Sequence, residues 1–454
     1  MSKRLFISLA LITGAAVSAL AQTFQDGFFL RSSLMSYRYN PALVPENGFI
    51  GAGGLMIQDY RNFGLSTFLY PQGDGKLVSY LHSSVSSDEA RDRFHSDNYI
   101  LKNLNLNVIS YGLRRGEAMH TFELNARGVI GLSFPGEPFM FLKTGTFDST
   151  RPSRLRGEAE LYMELAYGYS RRLGEKLSLG GRLKLLAGFY GVDYNVTRLN
   201  LTMNDQTSLA EIEAELNLTD KMYKISAGDD GYLDWRTIAR RAPGSPPSGG
   251  GAALDLGINY APVDGLELSA SVLDLGGILW RYGNAATSSG SVDLTLFNDL
   301  SLDEMNKEGL KSQLSRLKDD ALNSLELTPS KKLWKWKRVP LSANAAARYA
   351  MPFYDRLSVG VTGNYTSYQW MPYWEARAGM GVQPLDWLEM TANLGTGAFG
   401  MVWGLAGSFR VENFHFTVGM NNGFGGRAPD SRWTIKANKK LISFGIMYDL
   451  SGLH

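Results

Sequence analysis

The sequence predicts an all-β fold, a transmembrane antiparallel β-barrel of about 14 strands. Three observations predict it. Apolar residues recur at every second position in segments of about ten residues, the spanning unit of such a barrel. The connections between those segments alternate between short and long. The N-terminus reads as an export signal, and no later apolar run reaches the roughly 18 residues that a spanning helix needs.

The clearest alternation flanks the polar turn Arg171–Lys176. Before it, Ala159, Leu161, Met163, Leu165, Tyr167 and Tyr169 are apolar, with Glu158, Glu160, Glu164 and Gly168 between them. After it, Leu177, Leu179, Leu183, Leu185 and Phe189 alternate with Ser178, Arg182 and Lys184. Side chains on a strand point to opposite faces, so each segment has one apolar and one polar face.

Taken from the N-terminus, Lys3 and Arg4 precede the apolar run Leu5–Val17 and the small-x-small tripeptide Ala19-Leu20-Ala21. That is the pattern of a cleaved secretory signal peptide over residues 1–21. Residues 22–48 follow, with Asn40-Pro41-Ala42 and then Pro45; prolines exclude this segment from a ladder interior. It is expected either to fold into the lumen as a plug or hatch, or to form an arm outside the barrel. Residues 49–454 form the barrel. A soluble chain of 454 residues would suggest two or three domains, but a barrel uses the length as one. Net charge is only +2, which argues against a nucleic-acid partner. Cysteine is absent, which removes disulfides and thiolate chemistry from an exported chain.

Short turns are expected at Arg114–Met119, Arg171–Lys176, Pro262–Gly265, Pro352–Arg356, Pro384–Trp387 and Arg410–Asn413. The two very long connections, about Gly191–Gly251 and Arg281–Val339, then fall on the same side, as loop asymmetry in bacterial barrels requires. The strands between them read Phe49–Gln58, Leu104–Leu113, His120–Phe134, Gly157–Tyr169, Leu177–Phe189, Ala252–Tyr260 and Leu266–Asp274. They continue with Leu341–Met351, Leu357–Thr366, Tyr373–Val382, Leu388–Leu394, Met401–Phe409, Phe414–Asn421 and Leu441–Leu450. A count of about 16 results if Phe49–Tyr70 supplies two spans and a loop holds another. A soluble sandwich also alternates. Aromatic residues near strand ends (Tyr169, Tyr260, Tyr349, Tyr365, Trp374, Trp387 and Trp403) favour the membrane barrel, because Trp and Tyr prefer its interfaces.

Faces such as Leu254, Leu256, Ile258 and Tyr260, or Phe414, Phe416, Val418 and Met420, suit acyl chains. An Arg or Lys facing lipid at mid-depth costs about 2–4 kcal/mol, so the charged faces are assigned to the lumen. Its lining charges are Glu123, Arg127, Glu158, Glu160, Glu164, Arg182, Lys184, Arg348, Glu375, Arg377 and Glu389. They either line a water path or pair with one another and with an inserted plug. In the second long connection, Asp303–Leu325 reads as an amphipathic helix. The basic strip Lys331–Arg338, with Trp334 and Trp336, is expected either to contact lipopolysaccharide phosphates where the barrel leaves the membrane or to be a solvated strand extension. Asp229, Asp230 and Asp234 lack the spacing of a calcium loop, so a solvated turn is expected there. The five histidines form no metal-binding spacing, and no nucleophile elbow or phosphate loop is present. No enzyme activity, cofactor or metal is expected.

Asn40-Pro41-Ala42, the strand Leu254–Tyr260, the turn Pro262–Gly265 and the strand Leu266–Gly276 resemble FadL-like outer-membrane barrels. More closely, the chain looks like an uncharacterised Bacteroidota barrel family related to the PorV-type proteins. The resemblance implies a bacterial outer-membrane location and an N-terminal segment plugging the lumen. It also implies passive transport of hydrophobic or amphipathic small molecules. The alternative is a sealed barrel that serves as an accessory subunit of an outer-membrane protein complex. The chain ends Tyr448–His454 without the usual terminal Phe.

Overall fold

The computed structural model describes residues 26–30, 33–72, 77–144, 155–203, 208–219, 223–224, 227–233, 239–240, 246–293, 327–329, 333–368, 370–423 and 439–451. The signal peptide, the helix expected over Asp303–Leu325, and Asp234, Lys331 and Lys332 lie outside the described residues.

The barrel strands are β1 (Phe49–Arg61), β2 (Asp97–Arg115), β3 (Ala118–Pro135), β4 (Arg156–Leu173), β5 (Leu177–Met203), β6 (Gly249–Tyr260) and β7 (Leu266–Asp293). They continue with β8 (Leu341–Met351), β9 (Tyr354–Tyr368), β10 (Met371–Leu385), β11 (Leu388–Gly397), β12 (Val402–Val411), β13 (Phe414–Gly423) and β14 (Lys439–Asp449). Each pairs antiparallel with its neighbours in sequence. β1 closes the ring, with Phe49 opposite both Gly112 of β2 and Asp449 of β14. The product is a closed 14-stranded barrel. Closure leaves no ladder edge in hydrocarbon, where each unpaired backbone group would cost several kcal/mol. Among the described residues no helix is long and apolar enough to cross a membrane.

Every predicted span has its strand, and the two-span reading of Phe49–Tyr70 is corrected. After β1, Leu65–Phe68 forms a helical turn, and Leu69–Pro71 pairs only with Leu77–Ser79. This piece packs Phe68, Tyr70, Tyr80, Phe94 and Phe139 into an aromatic cluster at the long-connection end. The short turns tighten at Gly174 and Gly265, whose φ of 70° and 80° would strain any residue with a Cβ.

The two faces separate as the alternation requires. Leu183 and Leu185 on β5 are 56% and 58% exposed, whereas Arg182 and Lys184 between them are buried. Two strands run well past the predicted ends. The outer halves of β5 and β7 both pair with Ser208–Thr219, continuing the sheet as an apron beyond the ring. The apolar outer face stops where the apron begins, so its strands carry no membrane signal.

The strip after Lys332 is a further strand, Leu333–Arg338, on the edge of β7. Trp334 and Trp336 point outward, 63% and 55% exposed. Lys335 and Lys337 turn the other way, onto Asp193 and onto Glu158 and Glu160. Two lysines of the expected basic strip are therefore held by carboxylates of the same chain.

β7 is irregular at Asp274. Its φ is 64°, and the register to β6 shifts between Leu254 and Leu256. On the other edge the β8 ladder ends at Leu273 opposite Ser342, and pairing resumes only at Gly277 opposite Arg338. Pro340 lies in that gap and has no N–H to donate.

Candidate functional site in the barrel interior

The interior is occupied by the N-terminal segment. A helical turn at Asp26–Phe29 and a 3-10 turn at Ser36–Arg38 fold it back on itself. Phe28, Phe29, Tyr39 and Leu43 form one buried cluster; Leu34, Tyr37, Phe49 and Met447 form another. Asn40 fastens the segment to the wall. Its side-chain amide donates to Ile258 O at 2.9 Å, Ser269 Oγ at 2.7 Å and Ala270 O at 3.1 Å. Its Oδ1 accepts from the Ala42 N–H at 2.8 Å, shaping the Asn40-Pro41-Ala42 turn.

The wall under this turn is cut back to glycine. A Cβ on Gly257 would lie 1.9 Å from Asn40 Oδ1, and one on Gly180 would lie 2.2 Å from Pro41 O. Both are closer than real Cβ contacts come. Beside this turn, across the neighbouring strands β7, β8 and β9, a neutral chain reaches the segment. Asn364 Nδ2 donates to Asn344 Oδ1 at 2.7 Å, Asn344 Nδ2 to Ser271 Oγ at 3.0 Å, and Ser271 Oγ to Tyr39 O at 2.9 Å. Burial pushes the Tyr37 and Tyr39 hydroxyls above the ordinary phenol range. A polar pocket of about 340 Å³ remains at the short-turn end, between Phe28, Pro45 and Asn47 of the segment and Arg348 and His415 of the wall.

Above the segment, charges from β3 to β7 interlock. Glu123 accepts from the Tyr37 hydroxyl and from Arg38 Nε, each at 2.8 Å, and from Arg182 Nη1 at 3.1 Å. Arg182 Nε donates to Asp255 Oδ2 at 2.7 Å. Lys184 Nζ lies 2.9 Å from Asp255 Oδ2 and donates to Asp274 Oδ1 at 2.6 Å. Arg127 grips Asp274 with two bonds, 2.8 and 3.0 Å, and donates to Glu164 Oε2 at 2.8 Å. Arg38, Arg127, Arg182 and Lys184 thus face Glu123, Glu164, Asp255 and Asp274, four cations against four carboxylates. Each ion costs several kcal/mol to desolvate, and only this dense mutual pairing offsets the cost.

Of the sequence-predicted lining charges, Glu123, Arg127, Glu164, Arg182 and Lys184 meet in this cluster. Glu158 and Glu160 sit in a second one with Lys337. Arg348 lies apart on β8, bonded to Glu267 and donating to Phe28 O at 2.8 Å. Glu375 and Arg377 pair on β10, and Arg377 Nη1 also donates to Asn393 Oδ1 at 2.9 Å. Glu389 is buried on β11.

Sequence reasoning missed Arg38, Asp255, Asp274 and Lys337. Asp255 lies between outward Leu254 and Leu256, so the alternation already placed it inside. Lys337 follows outward Trp336 and was legible in the same way. Asp274 was not, because the irregularity in β7 turns both Leu273 and Asp274 inward. Among the described residues, no group of three or more His, Asp or Glu side chains is placed to hold a metal. His120 Nδ1 lies 2.9 Å from the Tyr167 hydroxyl, and His415 Nε2 lies 3.7 Å from Asp449.

Residues 41–421 match the family of unknown function DUF5723. The chain belongs to that family. No curated protein matches it in sequence. Among solved structures it is similar to a monoaromatic hydrocarbon channel, the TodX deltaS2S3 mutant, with TM-score 0.47 and 11% identity over 95% of each chain. It is also similar to a Pseudomonas aeruginosa FadL homologue, with TM-score 0.45 and 10% identity over 95% of this chain and 100% of that one. A third is the Ralstonia pickettii toluene transporter TbuX, with TM-score 0.43 and 9% identity over 92% and 93%. Likenesses at this level assign no function to the present chain.

Proposed function

We propose that this DUF5723 member is an outer-membrane barrel that passes hydrophobic or amphipathic small molecules along a gated route, with residues 22–48 as the gate. In this reading residues 1–21 are a cleaved export signal, the short turns face the periplasm, and the apolar belt meets lipid. One observation carries it: the N-terminal segment sits inside the ring on side-chain hydrogen bonds and ring packing, over glycines cut to its shape. Such a segment can leave without unzipping the wall. The gap in the β7 ladder at Asp274 and Pro340 lies beside it and supports a lateral exit toward the acyl chains. Glu123, Arg127, Glu164, Arg182 and Lys184 then act as the lock above the gate. Flux of a hydrophobic dye into proteoliposomes tests this, with the full chain against a chain lacking residues 22–48. Faster entry is expected for the shortened barrel. Rates equal to those of empty liposomes for both would sink the proposal.

The balanced buried network favours a second reading, a sealed barrel that serves an outer-membrane complex. Extraction in mild detergent separates the two. Recovery of the barrel strictly alone removes support for the complex.

A further inference from the structure

The second charge cluster differs from the first in being unbalanced. Glu158 and Glu160 lie on β4, both with side chains no more than 2% exposed. Among the described residues their one cation is Lys337, whose Nζ donates to Glu158 Oε2 at 2.8 Å and lies 2.7 Å from Glu160 Oε1. The nearby Asp193 on β5 is taken by Lys335. Arg127, below, is committed to Asp274 and Glu164. Two carboxylates therefore share one ammonium, and among the described residues a unit of negative charge is buried without a counterion. Isolated buried charge is strongly unfavourable, so the cluster is short of one positive charge.

The surroundings are equally incomplete. Tyr368 of β9 is buried, and its hydroxyl has no hydrogen-bond partner among the described residues. Tyr282 of β7 is fully buried within electrostatic reach of Lys337, Glu160 and Glu158, and its hydroxyl has no hydrogen-bond partner. The Tyr162 hydroxyl on β4 is likewise buried and unpartnered. Trp280 closes the side, its ring packed over Gly188, Gly191 and Gly249. Buried polar atoms of this kind almost always have a partner in protein, water or ligand.

We propose that Glu158, Glu160 and the Tyr282 hydroxyl form a binding site for one unit of positive charge, an alkali cation or a proton, beside Lys337. Donors that are all oxygen select a hard cation rather than a soft metal. The deficit of a single charge, and the lack of a third free carboxylate, select a monovalent one.

The test uses the full chain in detergent micelles, with its thermal midpoint as the readout. One arm exchanges N-methylglucamine chloride for sodium chloride at constant ionic strength and pH 8. The other raises the pH from 5 to 10 at fixed sodium. If an alkali cation fills the site, sodium raises the midpoint; if a proton fills it, the midpoint falls as pH rises. Glu158→Gln removes the deficit. It is expected to sit about 2 °C or more above the parent in N-methylglucamine, and to lose the dependence of whichever arm responded. Lys337→Met doubles the deficit and is expected to steepen that dependence. If Glu158→Gln does not fold, Glu160→Gln replaces it. A parent protein flat in both arms, or a glutamine variant that keeps the parent's slope, overturns the proposal.

Discussion

Gly257→Ala tests the seat of the N-terminal segment without touching the segment. The new Cβ would stand 1.9 Å from Asn40 Oδ1 and 2.9 Å from Pro41 Cδ. The wall cannot recede, because Gly257 is paired with Gly180 on β5 and with Ser271 on β7. The Asn40 turn must lift instead. It would lose the bonds to Ile258 O, Ser269 Oγ and Ala270 O. The amide nitrogen has two hydrogens, so these contacts amount to two full bonds; at about 1 kcal/mol net for each, that is roughly 2 kcal/mol, on the order of a thirtyfold shift toward the unseated segment. The chain has no cysteine, so a single Ser36→Cys on the segment reports its exposure to a maleimide. Labelling should accelerate on the order of thirtyfold when Gly257→Ala is added, while the barrel keeps its heat-modifiable migration on gels. Gly363→Ala is the control, since a Cβ there meets only Ala345 O at 3.9 Å. Unchanged labelling in a folded Gly257→Ala barrel would refute the steric argument.

Lys184→Met leaves Asp255 and Asp274 short of a cation and should cost about 3–5 kcal/mol in urea unfolding; a loss under about 1 kcal/mol would mean that water reaches the cluster. Leu183→Arg, on the outer face, should cost about 2–4 kcal/mol of folding into lipid, read from the same titration in bilayers. Burial holds the Tyr39 hydroxyl above the usual phenol range, so its contribution is intact below about pH 10 and is lost as pH rises beyond that. Maleimide labelling of the segment should therefore quicken above about pH 10. Tyr39→Phe should blunt that rise at little cost near neutrality, because the hydroxyl has no partner to lose.

The membrane wall was legible because its determinants are local. Leu183 and Leu185 against Arg182 and Lys184 assign faces with no knowledge of neighbouring strands, and each short turn announces the next strand. The apron was hidden for a related reason. Past Val192 on β5 and Tyr282 on β7, no lipid-facing stripe marks the strand, and only pairing with Ser208–Thr219 shows that it continues. The interior was legible as charge but not as partnership. Arg127 and Asp274 are 147 positions apart, and nothing in either neighbourhood names the other. The parity change at Asp274 comes from a backbone irregularity that polar–apolar alternation does not encode. Asn40-Pro41-Ala42 stood out as a motif, but its counterpart was two glycines on β5 and β6. Their meaning depends on what presses against them.

The unequal strand lengths also shape the outside of the molecule. β5 and β7 run 27 and 28 residues, whereas β11, β12 and β13 run 10 each. With tilt taken into account, one flank overtops the other by roughly 40 Å. Among the described residues the mouth is thus a lopsided collar, tall over β5 and β7 and low over the short strands. The cylinder therefore has a front and a back: whatever approaches the mouth meets a wall on one flank and a low rim on the other.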